Sequence, residues 1–212
     1  MLEPISFSLE SLNLGTLAPM MIAIIGAISI LLTDLFNTEK HKSLYVVLVI
    51  LFLTFDLFTL LAYSGDERGL FDMMLLDGIA ILSQVIIISG SILFIFLGLS
   101  KLRFQDFRHA EYFALYLFMV AGFQFMVSSD SLILIFLGLE TASLSLYTMI
   151  AMHNRMTSIE AAVKYFTMGA LAAAFFAFGA MIFYGLTGSL DLSEISQIIV
   201  QENFLSSVFN TK

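Results

Sequence analysis

No cysteine and no tryptophan occurs among the 212 residues of this chain, and only 12% of the residues are charged. Without cysteine, the chain forms no disulfides and offers no thiolate ligands to zinc or to iron–sulfur clusters. Its three histidines fall between the apolar runs without metal-ligand spacing, so we expect no bound metal. A formal net charge of −8 gives no basic surface for nucleic acid. These shortages exclude a disulfide scaffold and a cysteine-based metal protein, and we expect no nucleic-acid partner.

Apolar residues are abundant instead: they make up 59% of the chain, and the mean hydropathy is +0.98. Such values are too high for a soluble domain. The apolar runs are continuous rather than alternating and exceed the length of barrel strands, so we predict membrane-spanning helices. Six spans are predicted, at residues 17–36, 44–63, 79–99, 111–127, 131–152 and 159–186. The predicted fold is an all-α, polytopic transmembrane helix bundle.

The basic residues between the spans predict the orientation of this bundle. Six lie in alternate connections, at Lys40, Lys42, Lys101, Arg103, Arg108 and Arg155. Two lie on the other side, at Arg68 and Lys212. Because connections rich in lysine and arginine stay in the cytoplasm, we predict that both chain ends face outward.

A single carboxylate, Glu140, lies near the middle of the fifth predicted span, which is otherwise uncharged. A charged carboxylate at such a depth costs at least ~2.5 kcal/mol, so it requires a partner or a function. Helical spacing places Ser143 and Tyr147 on the same face as Glu140. The other hydroxyls of this span are expected to pack between helices or to bond their own backbone. We predict that Glu140 takes part in proton or ion translocation.

Lys164, in the sixth predicted span, is the second candidate. Glu160 precedes it by four residues, the spacing of an intrahelical ion pair, and a long lysine side chain near a span end can instead reach the interface. The two candidates differ in depth, so a direct contact of Lys164 with Glu140 is not assumed. Water or the hydroxyls of Tyr147 and Thr167 would link them.

Two further features are less decisive. Asp56 lies in the second span without a cation nearby in the sequence, and we expect it to face a water-filled seam or a partner chain. The tail 191–212 begins with Asp191 and Glu194 at the spacing of a helix cap and a capping-box acid. Apolar residues then recur at helical spacing, which predicts a short amphipathic interfacial helix.

Four segments, in order, carry a family resemblance: 109–116 (HAEYFALY), 130–147 (DSLILIFLGLETASLSLY), 158–170 (SIEAAVKYFTMGA) and 184–190 (YGLTGSL). The Gly-Leu-Glu and Lys-Tyr-Phe motifs on adjacent spans are the most specific of these features. Together the segments resemble the antiporter-like, proton-translocating membrane subunits of respiratory complex I.

This resemblance implies a larger antiporter-like fold of about fourteen helices, with two inverted repeats built around broken helices. Glu140 and Lys164 match the family's fifth-helix glutamate and sixth-helix lysine, so we expect them to form a proton relay, supported by Glu160, Ser143, Tyr147 and Thr167. The family's later lysines would lie beyond Lys212. We therefore expect an N-terminal portion of a longer subunit: 1–110 a three-helix segment, 111–190 the start of the first repeat, and 191–212 the tail.

The resemblance also implies a function, that of coupling quinone reduction to proton translocation in a bacterial inner membrane. The chain itself is expected to bind no cofactor, while NADH, quinone, FMN and iron–sulfur clusters belong to the wider complex. Its expected partners are the other membrane-arm subunits and the lipid bilayer. The alternatives are a subunit of a related cation/proton antiporter or of a membrane-bound hydrogenase, and a structural subunit that conducts nothing.

Overall fold

The computed structural model describes residues 12–36, 42–63, 66–98, 109–153 and 155–200. Six long helices form within these residues, all of them long and apolar enough to cross a membrane. They are α1 (Ala18–Phe36), α2 (Lys42–Ala62), α3 (Gly78–Gly98), α4 (Ala110–Val127), α5 (Leu132–Ala151) and α6 (Met156–Thr187). A shorter helix, α7 (Leu192–Val200), follows. The predicted all-α transmembrane bundle is confirmed, with helix ends within a few residues of those predicted.

The longest helix, α6, has clear end signals. It begins three residues before the predicted span, directly after Arg155, whose backbone is extended. It ends where Gly188 adopts a left-handed φ of 74° and donates its N–H to the Tyr184 carbonyl at 2.7 Å. Glycine adopts this conformation without the steric cost that other residues meet, so Gly188 terminates the helix.

Helix α4 is the centre of the bundle. It packs against α1, α2, α3 and α5, and α6 packs on the outer side of α5. The packing is close: a Cβ atom at Gly26 of α1 would lie 2.7 Å from Phe52 of α2 and 3.0 Å from Leu117 of α4. By contrast, Ala162 is the one buried residue among the 32 of α6. The bundle therefore has a packed centre at α4 and an open side at α6.

A two-stranded hairpin, which the sequence did not predict, lies between α2 and α3. Strand β1 (Glu67–Gly69) pairs antiparallel with β2 (Met74–Leu76). The hairpin is fixed to the connection between α4 and α5, because the Leu75 N–H donates to the Ser128 carbonyl at 2.8 Å and Arg68 lies 3.5 Å from the Asp130 carboxylate. We call this region, formed by residues 12–17, 67–76, 128–132 and 189–192, the end cap.

The end cap brings four segments of the chain together through backbone hydrogen bonds. The Leu70 N–H donates to the Leu12 carbonyl at 3.1 Å, the Leu132 N–H to the Leu190 carbonyl at 2.9 Å, and the Leu192 N–H to the Asp130 carbonyl at 2.7 Å. These segments precede α1, join α2 to α3, join α4 to α5, and follow α6. They can meet at one end only if successive helices run in opposite directions, as six membrane crossings require.

A tyrosine just after α2 adds a side-chain contact to the end cap. The Tyr63 hydroxyl donates a hydrogen bond to the Gly15 carbonyl. Burial, together with the nearby charge of Glu67, raises the pKa of Tyr63. Both effects keep the phenol protonated, so it remains a hydrogen-bond donor to the segment before α1.

Three predictions concern regions at or beyond the described residues. The connections 37–41 and 99–108, which carry most of the basic residues, lie outside them, so the orientation stays a prediction. Helix α7 begins directly after Asp191, as predicted, and the Ile195 N–H donates to the Asp191 carbonyl at 2.9 Å. Residues 201–212 of the tail lie outside the described part, and the division into three segments stays a prediction.

Candidate functional site

A backbone-to-backbone crossing of α4 and α5 positions Glu140. A Cβ atom at Gly122 would lie 2.6 Å from the Ala142 nitrogen and 2.7 Å from the Gly138 carbonyl oxygen. Small residues at both positions let the two helices touch directly. Glu140 lies between Gly138 and Ala142, eight residues from the start of α5 and eleven from its end, or roughly 12 and 16 Å along the axis. The crossing therefore fixes the carboxylate near the middle of a spanning helix.

The Glu140 side chain is half-buried. Within the described residues, none of the hydrogen bonds and ion pairs of the structure involves its carboxylate. The hydroxyls of Thr141, Ser145 and Thr148 each donate to the carbonyl four residues before them, at 2.8 Å. The expectation that these hydroxyls bond their own backbone is confirmed. The donor hydrogens of these three hydroxyls are therefore used by the backbone of α5 and do not bond the Glu140 carboxylate.

Tyr147 connects α5 to α6. Its ring packs edge-on against Tyr165, with ring centroids 4.7 Å apart, and against Phe166 at 5.8 Å. A Cβ atom at Gly169 would lie 2.8 Å from Tyr147 Cζ and would overlap the hydroxyl. Gly169 therefore provides the space in which this hydroxyl lies. We call the contact surface of α5 and α6 around Tyr147 the α5–α6 seam.

Lys164 forms an ion pair on the exposed face of α6. Its Nζ lies 2.5 Å from the Glu160 carboxylate, one turn earlier on the helix, and the two side chains are 73% and 64% exposed. Of the two alternatives that the sequence left open for Lys164, the structure shows the intrahelical pair with Glu160. The Thr167 hydroxyl donates to the backbone carbonyl of Lys164 at 2.9 Å, so it does not bond the ammonium group.

The structure does not bring Glu140 and Lys164 together. Tyr147 lies opposite Gly169, and Phe136 stacks with Phe176 at 5.8 Å. This antiparallel register places Glu140 beside residues 172–176, eight to twelve residues from Lys164, or roughly 12–18 Å along the helix axes. Along the helix axis, Tyr147 lies between the depth of Glu140 and the depth of Lys164, seven residues from Glu140. Ser143 lies between Glu140 and Tyr147 on α5 and is half-buried.

The interpretation of Asp56 as a residue facing a seam or a partner chain is wrong. Its side chain is fully buried among α2, α3 and α4. Gln124 Nε2 donates to Asp56 Oδ2 at 2.7 Å and to Gln84 Oε1 at 3.4 Å, and Gln84 Nε2 donates to Ser128 Oγ at 2.5 Å. We call these four side chains the Asp56 network. The sequence signal was the presence of two glutamines inside apolar runs, at positions 84 and 124.

Metal ligands do not cluster in the described residues. No group of three or more histidine, aspartate or glutamate side chains there could hold a metal ion. The polar groups near Glu140 and in the Asp56 network are carboxylates, amides and hydroxyls, which suit proton binding and hydrogen bonding.

Comparison with known proteins gives consistent matches. The family model described as NADH:quinone oxidoreductase/Mrp antiporter matches residues 129–211. The NADH-quinone oxidoreductase subunit N of Sulfurimonas denitrificans is 59% identical over 210 residues, which are 96% of this chain and 42% of that protein. The subunit N of a Sulfurovum species is 61% identical over 94% of this chain and 40% of that protein. This chain thus spans about two fifths of the length of the curated relatives it matches.

Two solved structures share the fold. A chain of respiratory complex I from Thermus thermophilus with bound aureothin matches with a TM-score of 0.71 and 29% identity, over 82% of this chain and 38% of that one. A chain of the membrane-bound sulfane sulfur reductase, an archaeal respiratory membrane complex, has the same TM-score of 0.71 at 18% identity, over 91% of this chain and 41% of that one, and shows the fold alone. The six spanning helices, the motifs around Glu140 and Lys164 and these matches agree, and the chain belongs to the family of antiporter-like membrane subunits that includes NADH-quinone oxidoreductase subunit N.

Proposed function

We propose that this chain acts as a membrane subunit of a complex I-type NADH-quinone oxidoreductase and couples quinone reduction to proton translocation. Relatives about 60% identical carry the name subunit N, and the chain spans about two fifths of their length, so the activity of the whole protein is inferred from them. The observation that carries the proposal is the position of Glu140. It is a half-buried carboxylate at mid-helix, held there by the contact of Gly122 with α5.

In the proposed mechanism, Glu140 binds and releases a proton as nearby charge changes. An ionisable group at this depth of a membrane seldom occurs without a function. A positive charge that approaches favours the ionised form and the release of the proton. Lys164 lies at a different depth along the helices from Glu140. Its positive charge therefore acts on Glu140 at a distance or through the α5–α6 seam, where the Tyr147 hydroxyl lies between Lys164 and Glu140. Glu160, Ser143 and Thr167 support this relay.

The open side of α6 indicates where neighbouring helices would pack. Lys164 and Glu160 form an ion pair whose side chains are mostly exposed on a spanning helix. A pair of charges facing lipid is unfavourable, so we propose that further helices of the membrane arm cover this face. The partners are then the other membrane-arm subunits and the lipid of a bacterial inner membrane, and NADH, quinone, FMN and the iron–sulfur clusters belong to the rest of the complex.

A second candidate function is that of a subunit in a cation/proton antiporter. The family model that matches residues 129–211 covers both the quinone oxidoreductases and the Mrp antiporters. A carboxylate and a lysine on adjacent helices suit either activity. The requirement for a metal cation separates the two.

The test uses the native assembly. The chain is tagged in its own bacterium, the complex that contains it is purified in detergent, and the complex is reconstituted into liposomes. We expect NADH and a quinone to produce proton uptake that an uncoupler abolishes and that proceeds without sodium. Quinone reduction with no pH change would contradict the proposal. A pH change that appears only with sodium, and without NADH, would favour the antiporter.

A further inference from the structure

The Asp56 network lies wholly inside the bundle, away from the proposed relay. Asp56, Gln84 and Gln124 are each 0% exposed, and Ser128 is 1% exposed. The network joins α2, α3 and α4 and ends at Ser128 of the end cap, whose carbonyl accepts a hydrogen bond from the Leu75 N–H of the hairpin. Such a set of buried polar groups in a spanning region is costly unless every group is paired.

At the Asp56 end, the network lacks one hydrogen-bond donor. The two amide groups donate along the network, from Gln124 to Asp56 and Gln84, and from Gln84 to Ser128. Two acceptors remain unpaired at one end, Asp56 Oδ1 and Gln124 Oε1. An ionised carboxylate only accepts hydrogen bonds, whereas a protonated one also donates. One proton on Asp56 would supply the missing donor, and Gln124 Oε1 is the unpaired acceptor of the same network.

No cation neutralises Asp56 in the described residues. The ion pairs found there join Arg68 to Asp130, His109 to Glu111 and Lys164 to Glu160. A water molecule could donate to both unpaired oxygens, but it would leave a full negative charge buried without a partner, which is far more costly than a neutral acid. Calcium and magnesium ions take six or more oxygen ligands in proteins, and two unpaired oxygens do not provide them.

Other titratable groups lie some distance away along the helices. Helix α2 packs against α1, α3 and α4. The other titratable residues on these four helices, and just after α2, are Asp34, Lys42, Tyr45, Tyr63, Glu111, Tyr112 and Tyr116. The closest in sequence position is Tyr63, seven residues from Asp56, or roughly 10 Å along the axis, and its hydroxyl donates to the Gly15 carbonyl. Tyr116 is eight residues from Gln124, and its hydroxyl donates to the Ser91 carbonyl at 2.8 Å. Neither tyrosine hydroxyl bonds the carboxyl of Asp56.

Helix α4 separates the Asp56 network from Glu140. Gly122 faces α5 at the crossing, and Gln124 is two residues further on, about 200° around the helix. The two acids therefore lie on opposite sides of α4 at similar depths. The Asp56 network is a separate site rather than an extension of the one around Glu140.

We propose that Asp56 is a second, buried proton-binding site of this chain. At neutral pH it holds a proton on Oδ1 and donates a hydrogen bond to Gln124 Oε1, while its Oδ2 accepts from Gln124 Nε2. Gln124 and Gln84 link the acid to Ser128 of the end cap. The site holds its proton in the resting protein, independently of electron transfer.

The test is infrared spectroscopy of the whole resting complex in liposomes at neutral pH. The Asp56→Asn variant preserves the shape and both hydrogen bonds of a neutral acid, so we expect it to assemble. We expect it to lose one protonated-carboxyl C=O band, a band that shifts in heavy water in the unaltered complex. The control is Asp72→Asn in the exposed hairpin turn, which removes an ordinary surface acid and should leave the protonated-carboxyl region unchanged.

A spectrum in which Asp56→Asn removes a carboxylate band instead would overturn the proposal, because Asp56 would then be ionised. Gln124→Leu provides a second measurement that does not alter the acid. It removes the hydrogen bonds to both oxygens of Asp56, so the C=O band should move to higher frequency in the assembled complex. A band at an unchanged frequency in that variant would also contradict the assignment.

Discussion

Replacing Gly169 with alanine should push Tyr147 out of the α5–α6 seam. The new Cβ atom would lie 2.8 Å from Tyr147 Cζ, whereas ordinary contact begins at 3.4 Å, so the ring must move by at least 0.6 Å and its hydroxyl further. Overpacking of this kind typically costs about 1–3 kcal/mol. Alanine in place of glycine inside a helix returns up to about 1 kcal/mol. The net loss of stability is therefore small, and the main effect is the displaced hydroxyl.

Gly179→Ala is the matched control, because it is the same substitution on the same helix with nothing within 4 Å of the new Cβ atom. In liposomes containing the whole complex, Gly169→Ala should lower proton uptake per electron several-fold, while quinone reduction continues. Gly179→Ala should leave both rates unchanged and slightly raise the temperature of thermal inactivation. Equal proton uptake in the two variants would refute the role of Tyr147 between Glu140 and Lys164.

Two further substitutions test the packing of α4 and the ion pair on α6. Gly122→Val places a Cβ atom 2.6 Å from the Ala142 backbone nitrogen, so it should reduce assembly of the complex, as measured by native gel. The control, Gly90→Val, has open space around it and should assemble normally. Equal assembly of the two variants would contradict the close crossing of α4 and α5. Lys164→Ala removes the partner of Glu160 on α6, and in complexes that assemble it should reduce proton uptake per electron while quinone reduction continues. Full uptake in that variant would restrict Lys164 to a structural role.

Periodicity and length were sufficient to predict the spanning helices, because a continuous apolar run of about 20 residues has few alternatives in a membrane. The hairpin could not be predicted in the same way. Its strands have three residues each, too few to show alternation, and they are stabilised by partners distant in sequence, such as Ser128 and Asp130. Three consecutive left-handed residues in its turn, Leu70, Phe71 and Asp72, also lack the glycine that would signal it.

The candidate site was predictable in part for a similar reason. Positions along single helices are known from the sequence, so the ion pair of Lys164 with Glu160 and the different depths of Glu140 and Lys164 could be anticipated. Rotation of one helix against another is not encoded in spacing. The burial of Asp56 against Gln124 depends on the orientation of three helices, and it emerged only from their packing.

The most direct test of the central claim is the number of protons translocated per electron by the whole complex carrying Glu140→Gln. Glutamine keeps the size of the side chain and cannot carry the proton. The control is Glu194→Gln, which alters an exposed carboxylate on α7. We predict that Glu140→Gln lowers the proton-to-electron ratio while quinone reduction and assembly persist, and that the control does not. An unchanged ratio in Glu140→Gln would contradict the account.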